Sequence, residues 1–415
     1  MLMVLNQYHT KIHANSVFWC MRTKNNHFPD QSPHFFIVAG EASGDIHAAR
    51  LMRALKELLP RSRFSGIGGV NMAMEGLESI VPLADISVVG FWEVAKRYPM
   101  FKQLLQKTAS MLTSGAYDVF IPVDYPGFNM RLAAAAKSAE VPVAWYIAPQ
   151  LWAWGRERAA KLKALVDKLL VVLPFEPQFF WQFGIDAEFV GHPLLEDPVI
   201  AAPPRRLHDR EQEIALFPGS RRQEIARNLP IMLASIDALR QSFSVIEDYC
   251  ITLAVSPHLP ASAYSSLVVK AHHTYDFTLH TESNSRNLLS RARAGMVKTG
   301  TSTLEAALCG LPHVMMYRTS HLSYLWAKRL ITLQRIALPN ILMDAAHGRS
   351  DVVAECIQHD ATPQALAHEM TKLLTGDSTQ SQMEADFAEI RALLGAGVLG
   401  TASSNAARII AEMMR

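Results

Sequence analysis

The chain has few cysteines, no long apolar run and little net charge. Its four cysteines, Cys20, Cys250, Cys309 and Cys356, are scattered without metal-type spacing, so neither disulfides nor a zinc site are predicted. No run of about 18 uncharged apolar residues occurs, which predicts no transmembrane helix. A net charge of +2 gives no reason to expect nucleic acid. Together these absences favour a folded protein of the reducing cytoplasm.

The composition and the order of elements are typical of α/β proteins. Of the 415 residues, 49% are hydrophobic and 19% are charged, which is enough apolar material for two domains. Short apolar strands alternate with helical patterns in both halves of the chain. This alternation predicts two doubly wound, Rossmann-like domains that face each other across a cleft.

The expected domain organisation has an extension, two domains and a returning tail. Residues 1–33 are polar and mixed, and we expect a flexible extension outside the fold. Residues 34–196 form the first domain and residues 197–384 the second, with a proline-rich, charged linker within 194–212. The C-terminal helices, about residues 385–415, are expected to cross back onto the first domain.

The stretch around which the second half is organised is an apolar run that stops at Pro218-Gly219. The pattern predicts a strand, a tight turn and a helix with Ser220 as its N-cap. Such a helix end presents free backbone N–H groups and the positive end of the helix dipole, which suit a phosphate. Arg221 can bind a diphosphate in bidentate fashion. An ordinary strand-to-helix turn with solvated arginines remains the alternative.

A second turn of the same kind follows the apolar run that ends at Lys298. Gly300 breaks the strand, and Thr301 or Ser302 is predicted to cap a short helix that carries Glu305. Two phosphate-type turns in one half indicate a nucleotide site, in which Glu305 would bind the ribose hydroxyls. The alternative for Glu305 is a carboxylate that complements the dipole of its own helix.

Two predicted strand ends in the first half carry carboxylates. Glu41, Ser43 and Asp45 crowd the turn after the first strand, and Asp45 is available to cap the next helix. A later strand ends at Asp124, with Asn129 as the predicted cap of the helix that follows. Because ligands bind at the carboxyl ends of parallel strands, Glu41 and Asp124 are candidates for ligand contact and for a general base.

Aromatic residues concentrate in three places. Residues 90–107 and 321–336 mix large apolar side chains with Lys and Arg, which suggests a surface for acyl chains or a membrane. The alternative is a core-facing helix with a solvated basic face, which is the more common case. Trp152 and Trp154 follow a predicted strand and are either a sugar platform or core aromatics.

Nine stretches, in order along residues 34 to 415, resemble the motifs of lipid-A-disaccharide synthases, which are glycosyltransferases of the two-Rossmann-domain (GT-B) kind. They are Ala39-Gly-Glu-Ala-Ser-Gly-Asp45, Gly90-Phe-Trp-Glu-Val94, Asp124-Tyr-Pro-Gly-Phe-Asn129, Pro149-Gln-Leu-Trp-Ala-Trp154, Pro174-Phe-Glu176, Phe189-Val-Gly-His-Pro193, Phe217-Pro-Gly-Ser-Arg221, Gly300-Thr-Ser-Thr-Leu-Glu305 and Leu338-Pro-Asn340. Each motif alone is weak, whereas nine in register are specific.

The resemblance implies an activity and a place in the cell. The family joins UDP-2,3-diacylglucosamine to 2,3-diacylglucosamine 1-phosphate, which gives a β-1,6 disaccharide and UDP for lipid A biosynthesis. An inverting hexosyltransferase of this kind would need no cofactor, and the absence of an Asp-x-Asp motif predicts no obligatory metal. The enzyme would be cytoplasmic and peripheral on the inner membrane, where it contacts the lipids of the inner leaflet. A homodimer is left open.

The resemblance also assigns candidate site residues. Asp124 would be the general base, and Glu41 would lie near the reacting sugars. The residues expected to bind UDP-sugar are Gly219, Ser220, Arg221, Thr301, Ser302, Glu305 and Asn340, the last in a predicted loop. The residues expected elsewhere in the cleft, toward the acceptor, are Ser43, Asn129, Gln150, Trp152 and His192.

The chain departs from the family pattern in two places, and two other functions compete. The family often has Arg directly after Trp-Ala-Trp, where this chain has Gly155 followed by Arg156. Residues 1–33 also lie outside the pattern. A UDP-sugar 2-epimerase would share the fold and the nucleotide turns but should lack the basic aromatic segments. A non-catalytic sugar-nucleotide or lipid-binding protein would not explain carboxylates at two strand ends.

Overall fold

The computed structural model describes most of the chain. The described residues are 32–82, 98–242, 244–256, 278–320, 333–395 and 398–414, together with 259, 264, 269 and 324. The motif at residues 90–94 and most of the segment 321–336 therefore lie outside the described residues, as do residues 1–31. The chain divides into a first unit, Met1–Trp152, Arg156–Pro193 and Gly395–Arg415, and a second unit, Ala153–Gly155 and Leu194–Leu394.

The first unit is built on one parallel sheet. Its strands are β1 His34–Ala39, β2 Arg63–Gly68, β3 Leu77–Pro82, β4 Val119–Val123, β5 Ala144–Tyr146, β6 Lys168–Val171 and β7 Ala187–Phe189. Their order in the sheet is β3-β2-β1-β4-β5-β6-β7. The central strands β1 and β4 are almost wholly buried, which is why they appear in the sequence as uninterrupted apolar runs.

Helices connect these strands. They are α1 Ala42–Leu58, α2 Val70–Met74, α3 Tyr98–Ser114, α4 Pro126–Ser138, α5 Ala159–Lys163 and α6 Glu176–Trp181. Helix α3 places Pro99 in its first turn, where the missing N–H of proline is tolerated. Helix α4 packs its apolar face, including Phe128 and Leu132, into the core beneath the sheet.

The second unit is built on a second parallel sheet. Its strands are β8 Glu211–Phe217, β9 Cys250–Ala254, β10 Leu279–Glu282, β11 Ala292–Lys298, β12 His313–Tyr317 and β13 Glu355–Ile357, in the order β10-β9-β8-β11-β12-β13. The helices are α7 Pro198–Ala201, α8 Arg222–Ser242, α9 Ser285–Arg291, α10 Thr301–Leu308, α11 Leu338–His347, α12 Pro363–Thr375 and α13 Asp377–Gly395.

The two sheets reverse their strand order at corresponding points. In the first sheet the reversal lies between β1 and β4, and in the second it lies between β8 and β11. Ligands of doubly wound folds bind at the carboxyl ends of the strands beside such a switch point. The predicted class, two doubly wound parallel α/β domains, is confirmed.

The stretch 194–212, predicted as a linker, instead belongs to the second unit. It contains α7 and a short 3₁₀ turn, Leu207–Asp209, and it leads directly into β8. Arg210 is buried and donates hydrogen bonds to the carbonyls of Leu289, Ala292 and Cys309. Proline and charge are typical of linkers, but here the buried guanidinium binds three backbone carbonyls of the second unit.

The C-terminal helix α14, Ala402–Glu412, returns to the first unit. It packs against α1, and the Asn405 amide donates to the carbonyl of Val190 at 3.2 Å. The return begins at Gly395 rather than at about residue 385. The reason is that α13 packs on the second unit, where Phe387 stacks on His313 with ring centroids 5.8 Å apart.

Candidate active site

At the first switch point, the turns after β1 and β4 pack directly on each other. Glu41 follows β1, and Asp124 and Tyr125 follow β4. The ring of Tyr125 lies against Gly40, so that a Cβ atom at Gly40 would be 2.2 Å from Tyr125 Cδ1. The glycine is therefore required for this contact, which brings the carboxylates of Glu41 and Asp124 into electrostatic range.

The backbone beside these carboxylates is strained. Asp124 and Tyr125 have φ angles of 47° and 49°, and the β-branched Ile147, just after β5, has φ 63°. Left-handed conformations are unfavourable for such residues and persist only where surrounding contacts hold them. The Asp124 amide donates to Tyr146 at 3.1 Å, and the Asn129 side chain donates to the Asp124 carbonyl at 2.8 Å. Strain of this kind concentrates at functional sites.

Asp124 is a carboxyl group with an altered affinity for protons. Burial, and to a smaller extent the negative charge of Glu41, raise the pKa of Asp124 to about 6, against the opposing effect of a hydrogen bond from the Tyr125 backbone. Burial and the Glu41 charge also raise the pKa of the Tyr125 hydroxyl. A carboxylate whose pKa lies near the working pH can accept a proton efficiently and release it again.

A third acid, Glu176, lies at the end of β6 and was not among the predicted site residues. One of its oxygens accepts the indole N–H of Trp152 at 2.9 Å, and the other accepts the amides of Leu173 and Val172 at 2.9 and 3.2 Å. Burial raises the pKa of Glu176 to about 7, which outweighs these hydrogen bonds. Its signal in the sequence was the Pro-Phe-Glu motif that follows the strand.

Trp152 is positioned from two sides. Glu176 binds its indole nitrogen, and the Phe175 ring meets it edge-on with centroids 5.0 Å apart. Arg156, which comes one residue later than the arginine common in the family, points elsewhere. Its guanidinium lies over the Phe179 and Phe183 rings, 5.5 and 5.3 Å from their centroids. Trp152 is thus held at the strand ends, whereas Arg156 is engaged on the surface of α6.

Two predicted helix caps in the first unit are wrong. Helix α4 begins at Pro126, and Asn129 lies buried inside it, where its amide donates to the carbonyls at the ends of β1 and β4. Asp45 does not cap its own helix either. Its carboxylate accepts the Gly69 amide at 2.7 Å and the Asn71 amide at 3.0 Å, at the start of α2. Asp45 binds backbone amides of a later helix, and Asn129 binds carbonyls at the ends of two strands, contacts that local capping rules do not detect.

The remaining acceptor-side candidates have different environments. Ser43 lies exposed in the first turn of α1, and Gln150 lies exposed after β5. His192 is buried, and burial lowers its pKa to about 3, with a smaller effect from His47. The His192 ring is therefore neutral at physiological pH.

In the second unit, the turn after β8 is organised by a carboxylate. Gly219 has φ 121°, and helix α8 begins at Arg222, so Ser220 is not its N-cap as predicted. The Ser220 amide donates to Glu224 Oε2 at 3.2 Å, while Glu224 Oε1 lies 3.0 Å from Lys298 Nζ. The turn is therefore held by the Glu224 carboxylate and not by the predicted Ser220 cap.

The turn after β11 uses a glycine in place of a side-chain cap. Helix α10 begins at Thr301, and the residue before it, Gly300, has φ 123°. Neither Thr301 nor Ser302 caps the helix, because both already lie within it. Glu305 stands beyond the first turn and pairs with Arg286 at 3.2 Å, so the helix-dipole explanation does not apply. Burial raises the pKa of Glu305, and Arg286 opposes the shift.

Asn340 lies in helix α11 rather than in the predicted loop. It is fully buried, its amide nitrogen donates to Val353 and Glu355 at 2.9 and 2.8 Å, and its oxygen accepts the Val353 amide at 2.9 Å. Glu355 in turn accepts the amide of Ala337 just before the helix, at 3.0 Å. Asn340 therefore fixes the start of α11 from inside the unit.

Glu41 and Asp124 follow the two strands at the switch point of the first unit, and the turns at residues 219–221 and 300–302 follow those of the second, whereas Trp152 follows β5, His192 follows β7 and Asn340 lies inside α11. Acids and an aromatic ring lie at the strand ends of the first unit, and turn amides with cations lie at those of the second. Across the described part of the chain, no three His, Cys, Asp or Glu side chains are grouped as a metal site. No helix there is both long and apolar enough to cross a bilayer.

Known proteins similar to this chain fall into one family by sequence. The family model described as Lipid-A-disaccharide synthetase matches residues 35–409. A lipid-A-disaccharide synthase of Anaeromyxobacter dehalogenans (strain 2CP-C) is 37% identical over 372 residues, which are 88% of this chain and 94% of that protein. The synthase of Geobacter metallireducens is 36% identical over 397 residues, 91% of this chain and 96% of the other.

Similar solved structures show the fold alone. The glycotransferase of kitacinnamycin has a TM-score of 0.58 at 15% identity and covers 92% of this chain and 99% of its own. The UDP-GlcNAc 2-epimerase of Neisseria meningitidis, solved with UDP-GlcNAc bound, has a TM-score of 0.54 at 13% identity and covers 92% of this chain and 98% of its own. Both classes share the GT-B architecture, so the sequence relatives and not the fold separate them.

Proposed function

The chain belongs to the lipid-A-disaccharide synthase family, and we propose that it joins UDP-2,3-diacylglucosamine to 2,3-diacylglucosamine 1-phosphate, with release of UDP. The observation that carries this proposal is the match of the family model to residues 35–409. The epimerase alternative is not favoured, because its support is confined to likeness of fold. A purely binding protein would leave the strained, proton-binding Asp124 without a role.

Each substrate is assigned to one unit. The acceptor sugar binds at the first switch point, among Glu41, Asp124 and Trp152, and the additional candidates there are Ser43, Asn129, Gln150 and His192. The nucleotide binds at the second, where Gly219, Ser220 and Arg221 approach the diphosphate. What supports this division is the contrast in charge between the turns, since a diphosphate is favoured by amides and cations.

The remaining nucleotide-side candidates extend the same proposal. The amides of Thr301 and Ser302, at the start of α10, add donors for the diphosphate. Glu305 binds the ribose hydroxyls with the carboxylate oxygen that does not pair with Arg286. Asn340 contributes indirectly, because it holds the backbone at the start of α11. In support, Glu305 is partly exposed whereas Asn340 is fully buried.

In the proposed reaction, the acceptor 6-hydroxyl attacks the donor anomeric carbon from the face opposite UDP. The new C–O bond forms as the bond to the diphosphate breaks, the hydroxyl proton passes to Asp124, and the electron pair leaves with UDP. The pKa of about 6 supports Asp124 as the base, since the group is mostly ionised at neutral pH. Donors preorganised around the leaving diphosphate lower the barrier further.

The cellular setting and assembly are also proposals. We place the enzyme in the cytoplasm, peripherally on the inner membrane, because both substrates carry acyl chains and because residues 90–107 and 321–336 mix aromatic and basic side chains. Flotation with vesicles of phosphatidylethanolamine and phosphatidylglycerol tests the membrane contact. A homodimer is the assembly that we would test first, by mass measurement in detergent.

Mass spectrometry tests the reaction itself. Purified protein is incubated with both substrates, with and without a metal chelator. A disaccharide 1-phosphate together with UDP, formed in both buffers, is the expected result. An altered UDP-sugar without disaccharide would support the epimerase instead, and no change of either substrate would contradict any catalytic function.

A further inference from the structure

One carboxylate of the second unit occupies the donors that a phosphate would need. Glu224 Oε2 accepts the Ser220 amide at 3.2 Å, and Glu224 Oε1 lies 3.0 Å from Lys298 Nζ and 3.7 Å from Arg221 Nη1. The carboxylate also lies against Gly219, where a Cβ atom would be 2.4 Å from Oε2. An anionic group is therefore already seated on the turn.

The ion pair joins the two sides of the switch point. Glu224 belongs to the first turn of α8, after β8, and Lys298 is the last residue of β11, the neighbouring strand. Both side chains are about four-fifths buried, whereas Arg221 is more than half exposed. The Lys298–Glu224 pair is therefore screened less by solvent than the contact of Arg221.

We propose that Glu224 is a placeholder for the diphosphate, and that Lys298 is a diphosphate-binding residue which Glu224 keeps paired. This inference rests on the proposed function, because it assumes that UDP binds at this turn. When the diphosphate arrives, it takes over the Ser220 amide and the Lys298 ammonium, and the Glu224 carboxylate moves off them. A carboxylate and a diphosphate cannot hold these donors together, because like charges at that distance repel.

The arrangement makes the turn selective. Without Glu224, the two cations and the amides would attract any small anion. With Glu224 in place, a ligand must first replace a carboxylate that already contacts three donors. A nucleoside diphosphate gains contacts from both phosphates and from the nucleoside, whereas inorganic phosphate gains only part of them. Glu224 thus lowers the affinity for all anions and leaves the nucleotide as the ligand that can still bind.

Glu224→Gln tests the placeholder by the sign of its effect. The substitution removes the competing charge but keeps an oxygen that can accept the Ser220 amide. Titration calorimetry is expected to show UDP binding about tenfold tighter than in the wild type, and inorganic phosphate binding that rises from undetectable to measurable. If Glu224 instead only supports the turn, UDP binding weakens or stays unchanged, and the inference is overturned.

Lys298→Met tests the second part. We expect about tenfold weaker UDP binding, a larger loss in the Glu224→Gln background, and no change in the affinity for uridine, which lacks the phosphates. Unchanged UDP affinity would exclude Lys298 as a diphosphate contact. Glu369→Gln is the matched control, since Glu369 also pairs with a lysine of the second unit, Lys372, at 2.7 Å and away from the turn.

These outcomes are distinct from a failure of the proposed function. UDP binding and disaccharide formation are measured on the same wild-type preparation. Wild-type protein that forms no disaccharide and binds no UDP would contradict the proposed function. Wild-type protein that does both, with a Glu224→Gln variant that binds UDP no better, would contradict the placeholder alone.

Discussion

The two units have the same strand order around their switch points, but the chemistry there is opposite. The first unit places Glu41 and Asp124 directly after strands and Glu176 at the start of the helix after β6, and Asp124 lies on strained backbone. The second places glycine turns, backbone amides and cations there, with one carboxylate among them. The shared topology fixes where a ligand can bind, and the side chains decide which ligand it is.

The largest expected effect would separate the two switch points by function. Asp124→Asn keeps the size of the side chain but removes its basicity. We expect kcat to fall by about 10²- to 10⁴-fold, while calorimetry shows unchanged UDP affinity because the nucleotide belongs to the other unit. Glu57→Gln, on the exposed face of α1, is the control and should retain full activity. Near-normal turnover of Asp124→Asn would show that another group is the base.

The buried acid Glu176 of the first unit predicts a pH-dependent stability. The folded-state pKa of Glu176, about 7, exceeds the ordinary glutamate value of 4.5, so its contribution to stability is fully present below about pH 4.5 and is lost as the pH rises through 7. The contribution is on the order of 3 kcal/mol. The unfolding free energy of wild type minus that of Glu176→Gln should therefore fall between pH 5 and pH 7.5, as measured by urea unfolding.

A difference that is constant across this pH range would mean that the Glu176 carboxyl is not protonated in the folded protein. Its hydrogen bonds to Trp152 and to the amides at the end of β6 would then have offset burial completely.

Two glycines provide a smaller contrast between the units. Gly219→Ala must adopt φ 121° and meets the Glu224 carboxylate, so we expect a loss of about 1–3 kcal/mol in stability, together with weaker UDP binding. Gly127→Ala, inside α4 and with open space around its Cβ position, should be neutral or stabilising by about 0.5–1 kcal/mol. Thermal unfolding of both variants measures the difference, and equal effects would contradict it.

The smallest effect concerns the pairing of acids in the first unit. Glu41 raises the pKa of Asp124 by its charge, so Glu41→Gln should lower that pKa. Because the base must be ionised, the acid limb of kcat/KM, expected near pH 6 in the wild type, should move to lower pH in the variant. A pH–rate profile checks this, with Glu57→Gln as control. A limb that does not move would mean that the Glu41 charge is not felt at Asp124.

Much of the fold was predictable because its central strands are buried on both faces. Strands β1, β4, β8 and β11 appear as apolar runs that end at glycine or at a polar residue, and the structure has them there. The strands not predicted, β3, β7 and β13, lie at the edges of the two sheets. β7 and β13 have three residues each, and β3 contains the exposed Glu78 and Ser79, so none of them forms the apolar run that identifies a central strand.

The caps were less predictable because a cap depends on where the helix begins and on which side chain reaches the turn, and residue type alone determines neither. Asn129, Ser220 and Thr301 all have the residue type of a helix cap, and none of them caps a helix. Asn129 binds carbonyls of two strands, and the Ser220 amide is bound by Glu224. The sequence does not identify Glu176 as a site residue, because its contact with Trp152 joins residues that follow different strands.

The sequence by itself determined the two α/β domains, the family and the turns at which ligands would bind, because each of these depends on residues that are neighbours along the chain. Only the tertiary structure decided which charged side chains lie close together at those turns and how deeply they are buried. It paired Glu224 with Lys298, placed Glu176 where it accepts the indole N–H of Trp152, and brought Glu41 close enough to Asp124 to shift the pKa of Asp124. Electrostatic energy depends on distance and burial, and these arise only when separate strands come together in a sheet.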